Sequence, residues 1–84
     1  MKLEIEIRKF ILRALLAAKG APLPDDSLKA AIAGAFPQVA FTDSDLRQHI
    51  KDAQETLLID GTNDEVSGIV WALTPKGKIH AQRL

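Results

Sequence analysis

Ile69-Val70-Trp71-Ala72-Leu73-Thr74-Pro75-Lys76-Gly77 is the stretch that decides how this chain folds. Ile69, Trp71 and Leu73 alternate with Val70 and Ala72, the period-two signature of a strand. Thr74 then places a hydroxyl where a helix N-terminus needs an acceptor, and Pro75 takes the first helical position, where its missing N–H is of no consequence. Upstream, Gly61-Thr62-Asn63-Asp64-Glu65 has the composition of a turn, and Leu57-Leu58-Ile59-Asp60 supplies a partner strand. The spacing predicts a hairpin with strands at residues 57–60 and 69–74, followed by a short helix over residues 75–83. On its strand, Trp71 shares a face with two aliphatic residues and reads as a packing residue.

Three helices are predicted before the hairpin. Thr42-Asp43-Ser44-Asp45 is a capping-box variant with Asp in place of Glu, opening a helix over residues 43–57 with Leu46, Ile50, Ala53 and Leu57 inward. Pro24-Asp25-Asp26-Ser27 opens the preceding helix with a Pro and acids suited to a helix N-terminus. Its buried face is Leu28, Ala31, Ile32, Ala35 and Phe36. Gly34 and the alanines suit close helix approach, and Pro37 ends the helix. The first helix covers residues 3–19 and stops at Gly20, with Leu3, Ile7, Phe10, Ile11, Ala14, Leu15 and Ala18 on one face. A second apolar stripe, Ile5, Leu12 and Leu16, lies on another side. A helix with two apolar faces needs two surfaces to pack on, supplied either within the monomer or by a second copy in a homodimer.

The order helix, extended segment, helix, helix, hairpin, helix resembles the winged helix-turn-helix superfamily. Trp71-Ala72-Leu73-Thr74-Pro75-Lys76-Gly77 is similar to the aromatic-x-Leu-Thr-x-x-Gly that often closes the wing in bacterial winged-helix regulators. The resemblance implies a mostly helical α+β fold: a three-helix core, a β-hairpin wing and a short C-terminal helix, all in one domain over residues 1–84. It also implies DNA binding and transcription regulation, with the third helix in the major groove. Ser44, Arg47, Gln48 and Lys51 then become base or phosphate contacts, with Lys76 and Lys78 as further phosphate contacts. One departure from the family pattern is the connection between the second and third helices. Pro37-Gln38-Val39-Ala40-Phe41 is longer than the turn of a compact helix-turn-helix.

Charge supports a second reading. The chain of 84 residues has equal numbers of acidic and basic side chains, but they are segregated. Residues 1–20 carry five cations against two acids, residues 21–65 three against nine, and residues 66–84 three against none, for nets of +3, −6 and +3. Nucleic-acid affinity comes largely from neutralising phosphates. Asp43, Asp45, Asp52 and Glu55 on the third helix, and Asp60, Asp64 and Glu65 around the wing, oppose it. The alternative is therefore a protein-interaction module that uses the acidic third helix and wing and does not bind DNA.

Other classes find little support. The chain has no cysteine, which excludes disulfides, thiolate nucleophiles and Cys-based zinc sites. His49 and His80 have no nucleophile or base at a meaningful spacing, and Asp25-Asp26 reads as helix N-terminal charge, not as a metal site. We expect no enzyme, no cofactor and no metal. The apolar residues near the start are interrupted by charge, unlike a signal peptide, and no stretch has the length of a membrane span, so a cytoplasmic location is expected.

Overall fold

In the computed structural model, residues 2–19 and 21–84 are described. Four helices, α1 (Lys2–Ala17), α2 (Asp25–Ala35), α3 (Asp43–Glu55) and α4 (Pro75–Gln82), surround a sheet of β1 (Leu23–Pro24), β2 (Ile59–Asp64) and β3 (Gly68–Leu73). The strands are antiparallel in the order β1-β3-β2, with Leu23 opposite Trp71 and Ile59 opposite Leu73. This is a winged-helix fold, with β2 and β3 as the wing.

Helix α1 is the hub, packing on α2, α3, α4 and β3. Ile7, Ile11 and Leu15 on its first face are buried, and so is Leu12 of its second stripe, because neighbours cover both sides. Leu28 and Ile32 of α2, Ile50 and Ala53 of α3, and Leu58, Ile59 and Trp71 complete the core. Phe10 meets Phe36 edge to face at 6.0 Å. The predicted stop at Gly20 lies outside the described residues. The helix ends through Lys19, whose φ of 55° is left-handed.

The start of α3 follows its sequence. Thr42 Oγ1 accepts from the Asp45 N–H at 3.1 Å, and the Thr42 N–H donates to Asp45 Oδ2 at 3.0 Å. The far end differs. Leu57, expected inward, adopts φ of 65° and is 67% exposed. The left-handed turn throws its side chain outward and hands the interior to Leu58 and Ile59. Strand β2 consequently starts at Ile59 and runs through Gly61-Thr62-Asn63-Asp64, which the turn composition had placed at the tip. The connection is residues 65–67, where Asp64 Oδ1 accepts the Val66 N–H and Gly68 takes φ of 78°. Gly61 serves packing: a Cβ there would sit 2.8 Å from the Trp71 ring. Gly34, by contrast, has no neighbour within 4 Å of a built Cβ, so it does not mediate helix approach.

The junction of wing and closing helix is as predicted. Thr74 Oγ1 accepts the Gly77 N–H at 3.0 Å and donates to the Leu57 carbonyl at 2.6 Å. The Thr74 N–H donates to the Leu58 carbonyl at 3.0 Å. Gly77 lies against that same carbonyl, leaving no room for a side chain.

Candidate nucleic-acid interface

Ser44, Arg47, Gln48 and Lys51 are all exposed on α3. Of the carboxylates around them, Asp25 and Asp43 are ion-paired, whereas Asp45 and Asp52 accept from uncharged groups and keep their charge. Lys29 of α2 reaches Asp25 at 3.0 Å and Asp43 at 3.1 Å, and Arg47 reaches Asp43 at 2.8 Å. Asp25 also accepts the Trp71 indole N–H at 2.9 Å. One polar chain, Trp71–Asp25–Lys29–Asp43–Arg47, thus ties the wing to the starts of α2 and α3. The Lys29 hydrogen bond, reinforced by its charge, holds the Asp43 carboxyl below its ordinary range. Hydrogen bonds to Asp25 and then Asp43 raise the Lys29 ammonium. The Thr42 backbone N–H, followed by its hydroxyl, lowers Asp45 through the capping box.

Two of the four α3 candidates are held by carboxylates on their own helix. Arg47 is paired with Asp43, and the Gln48 amide donates to Asp52 at 2.8 Å. Ser44 and Lys51 face solvent with no such bond among the described contacts. Arg47 and Lys51 share a cleft of about 210 Å³ between α3 and the wing, floored by Ile50, Ile69 and Trp71. Lys76 and Lys78 are not brought to it. Lys76 lines a groove between α1 and α4 with Arg8, Lys9 and His80, and Lys78 lines a separate depression with Lys19. The six candidate DNA contacts therefore occupy three places.

The proposed dimer stripe is also divided. Leu12 is only 2% exposed and belongs to the monomer core, Ile5 is half exposed at the α1–α4 groove, and Leu16 is half-buried beside Lys19. Within the monomer the stripe is not continuously exposed, because its middle residue Leu12 is buried in the core.

Sequence reasoning missed Lys29. Its pairing with Asp25 is a readable i,i+4 spacing, but the bond to Asp43 spans the helix-to-helix turn and exists only through tertiary packing. His49, near the edge of the α3 stripe, stacks edge to face on Phe41 at 6.0 Å. Among the described residues, no group of three or more His, Cys, Asp or Glu could hold a metal. No helix of the described residues is long and apolar enough to cross a membrane.

The fold and this face define the class as a winged-helix module. A crystal structure of a MarR-family transcriptional regulator from Silicibacter pomeroyi is similar to it, with a TM-score of 0.64 and 23% sequence identity over 92% of this chain. The chain spans 47% of that protein's length, about half. No protein-family model matches the sequence, and no curated protein matches it.

Proposed function

We propose that this chain is a cytoplasmic DNA-binding module of a transcriptional regulator, docking α3 against duplex DNA. The observation that carries the reading is the ion pairing of Asp43 by Lys29 and Arg47 at the start of α3, beside an exposed row of polar and basic side chains. Lys29 and Arg47 offset Asp43, while Asp45 remains an exposed anion fixed by the capping box, so the end of α3 that would approach bases presents Ser44, Arg47, Gln48 and Lys51 with Asp43 paired and Asp45 still opposing them. Arg47 and Gln48 can exchange their exposed same-helix partners for phosphate or a base edge, since such surface pairs are weak.

The test is fluorescence anisotropy of a labelled random-sequence duplex at about 50 and 200 mM salt, where phosphate contacts give a steep loss of affinity. Binding that collapses at the higher salt and is weakened by Lys51→Ala supports the proposal. No binding at either salt refutes it.

A second reading is favoured by the wing. Val66 at its tip is 94% exposed beside Asp64 and Glu65, an acidic and apolar surface suited to a protein and poorly suited to phosphate. It would replace the first if the duplex does not bind.

A further inference from the structure

The two basic ends of the sequence meet in space. Helix α4 packs along α1, and between them lies a groove of about 340 Å³. Arg8 and Lys9 of α1 and Lys76 and His80 of α4 line it, and among the described residues no Asp or Glu side chain does. Ile5, 50% exposed, and Leu84, 43% exposed, provide its apolar surface, backed by the buried Leu12 and Leu58. Glu6 reaches Lys9 only at 3.9 Å, in an exposed pair that leaves the ammonium available.

We propose that this groove docks an acidic amphipathic helix from a partner protein. Charge complementarity selects the occupant. An apolar stripe of the incoming helix covers Ile5 and Leu84, and carboxylates flanking the stripe meet Arg8, Lys9 and Lys76, the helix-in-groove mode of recognition. A nucleic-acid backbone would satisfy the cations but leave the apolar residues without a counterpart. A second copy docked about a two-fold axis would set Arg8, Lys9 and Lys76 against their own equivalents. The site is separate from the α3 cleft and stands or falls independently of DNA binding there.

The probe is a synthetic helical peptide of about 14 residues, roughly four turns, with Leu at three- and four-residue spacing and Glu elsewhere. A twin carries Lys in place of every Glu. Each is titrated into ¹⁵N-labelled full chain while amide shifts are followed by NMR. The acidic peptide is expected to give saturable shifts confined to α1 from Ile5 to Leu12 and to α4 with Leu84, and the basic twin none. Arg8→Glu combined with Lys76→Glu should weaken binding about tenfold, equivalent to about 1.4 kcal/mol. Ile5→Ser, at a half-exposed site, should weaken it separately without unfolding the chain, as checked by the dispersion of the same spectra. The proposal is overturned if the acidic peptide produces no saturable shifts, if its shifts map to Arg47 and Lys51, or if the charge-reversed variant binds it equally well. It is also overturned if a random duplex competes the peptide off the groove, which would make the surface a phosphate site, or if light scattering shows a dimer that Ile5→Ser converts to monomer, which would make the groove a contact between copies.

Discussion

Gly77→Ala should destabilise this protein even though alanine is the better helix former. A Cβ at Gly77 would lie 1.8 Å from the Leu58 carbonyl oxygen, 2.7 Å from its carbon and 3.1 Å from its Cα. All three atoms are backbone, so no side chain can swing aside. Relief requires separating α4 from the Leu57–Leu58 turn by more than an ångström. Overpacking of this kind costs about 1–3 kcal/mol. The displacement also stretches the hydrogen bond from the Thr74 N–H to the Leu58 carbonyl, worth about 1 kcal/mol. Against these, the helix-propensity gain of Ala over Gly is about 1 kcal/mol. The net is a loss of about 1–3 kcal/mol, which for a domain of this size lowers Tm by roughly 5–20 °C. Gly34→Ala is the matched control: nothing lies within 4 Å of its Cβ, so only the propensity gain applies, and stability should rise by up to about 1 kcal/mol. Thermal and urea unfolding followed by circular dichroism would measure both. The reasoning is refuted if Gly77→Ala leaves Tm unchanged or raises it, or if α4 alone melts while the rest unfolds at the parent's midpoint.

Trp71→Ala should cost about 3–5 kcal/mol, because the ring fills the space over Gly61 and is 7% exposed, whereas Trp71→Phe should lose chiefly the bond to Asp25, about 1 kcal/mol; equal effects in urea titrations would contradict this division. The Asp43 carboxyl is lowered on folding, so the stability it contributes is present above the unfolded carboxylate pKa and is lost as pH falls through the lower folded value. Lys29 is raised, so its contribution is complete below the unfolded lysine pKa and is lost as pH rises through the higher folded value. Urea midpoints across pH should therefore decline at both extremes, and Asp43→Asn should flatten the acid limb. If α3 docks on DNA, Asp43→Asn should release Arg47, tighten binding to a random duplex and steepen the salt slope by about 0.9, one additional phosphate contact. In an Arg47→Gln background the same change should leave the slope unaltered, and an unchanged difference between the two backgrounds would show that Asp43 does not restrain Arg47.

Where a residue's role is set by its immediate neighbours in sequence, it was legible. Thr42 and Asp45 make the expected reciprocal cap, and Thr74, Pro75 and Gly77 close the wing as their order predicts. Roles set by distant packing were not. Gly61 has the composition of a turn, but the Trp71 ring ten residues on in the chain requires a glycine there, and β2 continues through it. Leu57 continues the α3 periodicity on paper, yet the chain must reverse to start β2, and the left-handed turn that does so exposes it. Leu12 belongs to a stripe distinct from the main face of α1, but α1 is surrounded, so the distinction between core and interface cannot be read from periodicity alone. The candidate site shows the same division. The exposure of Ser44, Arg47, Gln48 and Lys51 follows from helical phase, while the bond from Lys29 to Asp43 depends on how two helices meet.

The charge segregation has different structural meanings in its two halves. In the acidic middle, much of the excess is local: Asp25 and Asp43 share Lys29, Asp45 caps α3, and Asp64 closes the wing turn. These acids are used by the fold: Asp43 is offset by Lys29 and Arg47, whereas Asp45 and Asp64 accept from neutral backbone N–H groups and keep their charge. The basic ends behave in the opposite way. Among the described residues no Asp or Glu side chain lines the groove where α1 and α4 bring Arg8, Lys9 and Lys76 together, and the Glu6 pair with Lys9 is an exposed contact at 3.9 Å. Like charges brought together on folding repel one another, and a half-exposed Ile5 and Leu84 beside them add apolar surface in water. Neither feature stabilises the isolated fold, whereas an acidic and apolar partner would offset both at once. The distribution thus separates two faces of one small domain: α3, whose Asp43 is ion-paired within the chain, and the α1–α4 groove, where Arg8, Lys9 and Lys76 gather with only the exposed Glu6 pair beside them.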